Sequence, residues 1–241
     1  MTCLSTRGIE ITADLECPLM NSEFNGRPER AAESEAAFWR SLEELLPLFE
    51  REGIALNLEA HPDDFCEEPP AVDLVRAINK PYVNYLYCAP HTFHLSGAEP
   101  TADIAAMMRY AGDKLQRVHI ADSFDHKGSS GLRYILNPPG TPARIHQHLD
   151  IGRGEVDWDT FFGALRELNF DGVATACVFA WEARARESSA FMLHPYPRGA
   201  HRVKRGGRTG CAGSGHLPHR RRHRPTHRRS AKVPLKVITV A

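Results

Sequence analysis

The chain has 241 residues, with 30 basic and 30 acidic side chains and 13 His, for a formal net charge of zero. Residues 194–241 hold ten Arg, three Lys and six His but no acid, so residues 1–193 keep 17 bases and all 30 acids, and the two parts carry −13 and +13. No run of roughly 18 apolar residues exists, which excludes a spanning helix. The first ten residues lack a signal peptide's apolar stretch, and the six Cys form no C-x-x-C pair, so reduced thiols in a cytoplasmic protein are expected.

In chain order, residues 19–22 form a short predicted strand ending at Glu23. Residues 29–52 predict a helix with Phe38, Leu42, Leu45, Leu46 and Phe49 on one face. Pro47 is expected to kink or split it, and Gly53 to cap it. Residues 54–58 make a second strand, ending at Glu59. Pro69 and Pro70 open a helix with Ala71, Leu74, Val75 and Ile78 inward. Residues 82–87 are a third strand, and Thr101 is expected to cap a helix bearing Ile104, Met107, Met108 and Ala111. Residues 117–120 are a fourth strand, followed over 121–156 by a long loop rich in Gly, Pro and His. Asp157 caps a helix with Trp158, Phe161, Phe162, Leu165 and Leu168 inward; residues 173–179 form a fifth strand, and 181–193 read as helical. Five successive βα units imply parallel strands joined by right-handed crossovers. A doubly wound sheet and part of a (β/α)8 barrel both fit.

In either architecture, chemistry gathers at strand ends. The first strand gives Glu23, with Arg27 nearby to hold a substrate anion or pair with Glu29. The second gives Glu59 and His61, then Asp63 and Asp64; the third gives His91 and His94; the fourth gives His119 and Asp122. The long loop adds His146, His148 and Arg133, the last in a segment able to close over a substrate. A Glu with several imidazoles can bind Mn²⁺, Zn²⁺, Co²⁺ or Fe²⁺. Such a site can polarise a carbonyl while a neighbouring carboxylate or His moves the proton. Cys88 and Cys177, inside strands, read as packing residues.

The segments N-S-E-F-N-G-R-P-E, H-P-D-D-F, H-T-F-H, V-H-I-A-D-S-F-D-H, G-L-R-Y-I-L-N-P-P-G, R-I-H-Q-H-L-D-I-G-R-G-E-V-D-W and V-F-A-W-E resemble the xylose isomerase-like TIM barrel superfamily. Within it they are most similar to the sugar phosphate isomerase/epimerase branch linked to myo-inositol catabolism. The resemblance spans about Asp14 to Met192. It implies a divalent metal held by Glu, Asp, His and a final Glu at successive strand ends. Glu59 matches the first Glu and His119 the His; His91 stands where the Asp is usual, and Cys177 where the last Glu is usual. The implied assignments are Glu59, His91 and His119 for the metal, and Glu23, His94 and His148 for proton transfer. Arg27, His61, Arg133 and His146 are assigned to substrate binding.

The resemblance starts at the fourth barrel strand, whereas a whole barrel takes about 250 residues. The expected domains are therefore 1–193, a partial TIM barrel of about strands 4 to 8, and 194–241, a disordered Arg/His/Gly-rich tail. The tail is expected to arise from a shifted reading frame; the alternative, a nucleic-acid-binding arm, is weakened by its single aromatic residue, Tyr196. Open sheet edges of such a fragment are expected to pair with other chains and to impair activity. The implied function is a metal-dependent isomerase or epimerase of a sugar or inositol-derived ketone, working through an enediolate. Its alternatives are a non-catalytic remnant and an abasic-site endonuclease.

Overall fold

The structure is a computed structural model that describes residues 6–61, 64–95, 103–123, 148–178, 184–193 and 236–239. Helix α1 (Thr6–Asp14) precedes strand β1 (Leu19–Glu23). There follow α2 (Ala31–Glu52), β2 (Ala55–Glu59), α3 (Pro70–Ile78), β3 (Val83–Cys88), α4 (Ala89–Leu95) and α5 (Ile104–Ala111). Strand β4 (Leu115–Ile120), α6 (Trp158–Glu167), β5 (Val173–Ala176), α7 (Ala185–Leu193) and β6 (Lys236–Thr239) complete the described elements.

The six strands form one sheet in the order β1-β2-β3-β4-β5-β6, every pair parallel. A doubly wound sheet reverses its strand order at a switch point. This one never reverses, so it is an arc of a (β/α)8 barrel. Five of the strands are the predicted five. The sixth lies inside the 194–241 segment expected to stay outside the fold: Lys236–Thr239 pairs with Val173–Ala176. Four residues of that segment therefore extend the sheet.

Alternation along the strands sorts the two faces. Leu56, Leu58, Val83, Tyr85, Tyr87, Val118, Ile120 and Ala174 join one apolar core with the inward faces of the helices, among them Phe38, Leu42, Val75, Met108, Trp158 and Phe161. The other face carries Asn57, Glu59, Cys88, Arg117, His119 and Thr175, all buried and, but for Cys88, polar or charged. A buried face of this composition is what a barrel lumen with a site at its mouth requires.

Local details confirm or correct the sequence reading. Helix α2 runs through Pro47 without being split and ends at Gly53, whose φ of 67° is the left-handed cap that glycine adopts freely. The cap of α5 is Asp103, which accepts from Ala106 N at 2.8 Å, not Thr101, which lies outside the described residues. Asp157 caps α6 as expected, accepting from Thr160 N at 3.1 Å. Among the described residues no helix is long and apolar enough to cross a membrane.

Candidate metal centre at the strand ends

Glu59, the last residue of β2, is buried beside two imidazoles. Its Oε1 lies 3.0 Å from His119 Nδ1 on β4 and 3.5 Å from His91 Nδ1 at the start of α4. Neither Glu59 Oε1 nor His119 Nδ1 is aligned for a hydrogen bond, although both are wholly shielded from solvent. Burial raises the pKa of a carboxyl, but here the neighbouring His119 and His91 charges win and hold Glu59 well below the usual carboxylate range. Reciprocally, burial lowers the pKa of His119, and the Glu59 charge with the nearby thiols lifts it well above the usual imidazole value. Both shifts favour a carboxylate at Glu59 against a positively charged neighbour, and a metal bound at His119 Nδ1 would displace the proton from that nitrogen.

The other two imidazoles are oriented from behind by backbone carbonyls. His91 Nδ1 lies 2.9 Å from the Ala60 carbonyl, and His148 Nδ1 lies 2.9 Å from the Cys177 carbonyl. A carbonyl only accepts, so each Nδ1 carries the proton and donates it. In the neutral ring this leaves Nε2 as the lone-pair nitrogen. Such outer hydrogen bonds fix the tautomer of a metal-binding His. The rings gather closely: His61 and His91 have centroids 4.5 Å apart, His91 and His148 5.7 Å, and His119 and His148 6.4 Å.

Two cysteines, read from the sequence as packing residues, lie beside this cluster. Cys88, paired in register with His119, is buried with its Sγ 3.6 Å from His148 Nε2. Cys177 follows β5, and its amide donates to the Ile120 carbonyl at 3.2 Å. Burial raises the Cys177 thiol, but hydrogen bonds and charge from His119 and His148 outweigh it, bringing the pKa down to about 6. Strand alternation is the signal that could have found Cys88. It falls two residues past Leu86 on the lumen side, level with Glu59 and His119 at the strand ends.

Asp122, read from the sequence as metal-competent, has another task. Its Oδ1 accepts from Ser123 N at 2.9 Å and Val156 N at 3.0 Å, and its Oδ2 from Gly152 N at 2.7 Å and the Trp158 indole at 3.0 Å. An antiparallel bridge joins its backbone to Leu149. This anchor ties residues 149–158 to the end of β4, next to His148. Asp64 likewise binds a turn, accepting from His61 N at 3.0 Å. Burial pushes its carboxyl up to about 8, against the backbone hydrogen bonds it receives.

Of the residues singled out from sequence, Glu59, His91, His119 and His148 come together, with His61 against His91. Glu23 stands in register with Glu59 on the neighbouring strand, half-buried. Arg27 is exposed and donates its backbone N–H to Ser34 Oγ at 3.0 Å, away from the cluster's contacts. Arg133, His146 and the side chain of His94 lie outside the described residues.

The unaligned Glu59 Oε1 and His119 Nδ1, with Nε2 of His91 and of His148 once the metal has displaced its proton, fit a divalent ion. Ligand atoms of Glu59, Cys88 and His119 lie within 4.8 Å of one another, as do those of Cys88, His91 and His148.

None of the curated proteins matches this chain significantly. Among solved structures, the IOLI protein with a bound zinc atom superposes with a TM-score of 0.59 at 20% identity, over 77% of this chain and 64% of that one. D-psicose 3-epimerase with D-tagatose, from Clostridium cellulolyticum, gives 0.55 at 17% identity over 76% and 65%. The TTHB071 protein from Thermus thermophilus, soaked with ZnCl2, gives 0.50 at 18% identity over 76% and 65%. The chain thus spans slightly less than two thirds of these relatives. The model of the xylose isomerase-like TIM barrel family matches residues 5–194, and the chain belongs to that family.

Proposed function

We infer that the protein is a metal-dependent isomerase or epimerase acting on a sugar or a cyclitol-derived ketone. The observation that carries this reading is the buried, unaligned pair of Glu59 Oε1 and His119 Nδ1 at the lumen-side strand ends. A buried polar atom without a hydrogen bond costs stability. A ligand seated between the two would remove that cost. Glu59, His91 and His119 would hold the ion, which when bound polarises a substrate carbonyl and favours loss of the adjacent C–H proton.

The chain's own residues supply the proton chemistry. Glu23, in register beside Glu59 and half open to solvent, would take a proton from carbon and return it to the neighbouring carbon or the opposite face. His148 is the second proton-transfer group, and with His94 completes that assignment. His61, Arg27, His146 and Arg133 are assigned to substrate oxygens. The apolar packing of the sheet's outer face supports the spacing of Glu59, His91, His119 and His148.

The test is metal analysis of the purified full chain, followed by turnover assays on ketohexoses and inososes, with solvent deuterium as tracer. Deuterium incorporated at the carbon beside the carbonyl, dependent on added metal and lost in Glu59→Gln, is expected. Metal bound with no exchange into any ketose or inosose would leave a metal-binding remnant as the better account.

A further inference from the structure

We propose that Cys88 is itself a metal ligand, which makes the centre a mixed sulfur, nitrogen and oxygen site selective for Zn²⁺ over Mn²⁺ or Mg²⁺. This rests on the metal-centre reading above and adds a donor that Glu59, His91 and His119 do not imply. Cys88 is the residue shared by the two ligand groups, Glu59–Cys88–His119 and Cys88–His91–His148. Its thiol is 1% exposed and faces a His148 nitrogen at 3.6 Å whose ring is already fixed from behind by the Cys177 carbonyl. Around it lie the buried Glu59 Oε1 and His119 Nδ1, neither engaged in a hydrogen bond. A thiol placed for packing alone would sit among apolar side chains. Cys88 instead points to the polar face of the sheet, and it is absent from the apolar core cluster.

The donor chemistry decides the ion. Thiolate and imidazole suit Zn²⁺, whereas carboxylates, carbonyls and water suit Mg²⁺ and Mn²⁺. Glu59, Cys88 and His119 form one mutually close trio, and three protein donors leave a zinc ion a position open to substrate, with Zn–S about 2.3 Å and Zn–N about 2.0 Å. Binding replaces the S–H bond by a sulfur–metal bond, and the proton leaves to solvent.

The full chain loaded with Co²⁺ reports sulfur directly, through a thiolate-to-cobalt charge-transfer band in the near ultraviolet. The band is expected in the unmodified protein and in Cys177→Ser, and is expected to vanish in Cys88→Ser while Co²⁺ still binds, roughly 10- to 100-fold more weakly. X-ray absorption of the unmodified zinc-loaded chain should show a sulfur neighbour at about 2.3 Å, a readout independent of whether the variant folds. Cobalt bound without the band, and zinc without sulfur, would overturn the Cys88 assignment and leave the metal centre standing. Loss of the band in Cys177→Ser but not in Cys88→Ser would overturn it in favour of the other thiol. No uptake of either ion by the unmodified chain would overturn both readings.

Discussion

Two buried acids stand at strand ends two positions apart in the sheet, and they have opposite surroundings. Asp122, past β4, receives four N–H donors, so both oxygens are filled by the chain's own backbone and one indole. Glu59, ending β2, meets two imidazoles and has an oxygen aligned with neither. Sequence made the two look alike, each a carboxylate one step beyond an apolar run. Satisfaction separates them: a carboxylate whose hydrogen-bond capacity is used up holds the fold, and one held buried with capacity to spare is kept for a ligand.

The strongest test of that contrast removes each carboxylate in turn. Asp122→Ala should orphan the amides of Ser123, Gly152 and Val156 and the Trp158 indole. Each N–H to a charged acceptor contributes about 1.5–3 kcal/mol, only part of it lost because water enters, so a loss on the order of 4 kcal/mol is expected by denaturant titration. Glu59→Gln should abolish metal uptake and cost some stability by removing the charge facing His119, but less than Asp122→Ala, because His119 can shed its proton. Equal destabilisation by both changes would erase the distinction.

The Asp122 anchor can also be attacked from the partner side. A Cβ on Gly154 would run into the Ser123 carbonyl and the Asp122 carboxylate. Since the Ser123 carbonyl is backbone, the loop must move as a body. Gly154→Ala is expected to cost about 1–3 kcal/mol in melting experiments and to weaken metal binding through displaced His148. A wild-type melting curve would show that the loop is not held as tightly as Asp122 suggests.

Asp64 is intermediate between the two acids, turn-forming but poorly solvated. Its folded pKa of about 8 lies above an unfolded value of about 3.9, so the folded state keeps a proton that the unfolded state loses. Stability from this group is full below about pH 4 and declines as pH rises towards 8, with a slope of about 1.4 kcal/mol per pH unit. Asp64→Asn keeps the acceptor for His61 N and should remove that decline. Urea melts of both proteins across that pH range would measure it. Parallel stability curves would mean that the carboxyl stays ionised.

The βα rhythm was legible because it rests on local signals. Phe38, Leu42, Leu45 and Phe49 recur at helical spacing and all are buried. Asp157 caps because its side chain competes for the first free amides. Glu59, His91, His119 and His148 were visible as polar residues at strand ends. The role of Cys88 was not, because a cysteine at the end of an apolar strand reads as core unless the face it occupies is known. Nor was the role of Asp122, three of whose donors, Gly152, Val156 and Trp158, lie far along the sequence. Strand β6 was hidden for the same reason: a four-residue stretch after a basic run has no local mark of the strand it joins. Non-local pairings decide the last two cases, and a sequence read one segment at a time does not contain them.

One layer below the site, Arg117 extends the contrast to a cation. It sits on the lumen face of β4, 4% exposed, with Nε and Nη1 lacking a hydrogen-bond partner among the described residues. Burial lowers its pKa, with Cys17 and Glu59 working against the shift. A guanidinium with two buried N–H groups unpaired opposes folding, and an unbranched apolar side chain relieves that burden. Arg117→Met should therefore raise the stability of the chain, by about 1 kcal/mol, the smallest of these effects. If Arg117 instead holds Glu59 ionised through the lumen, the same variant would weaken metal uptake as it gains stability. A gain in stability with unchanged metal affinity would show that the field at Glu59 comes from His119 and His91 alone, whereas a net loss would reveal a partner for Arg117 outside the described residues.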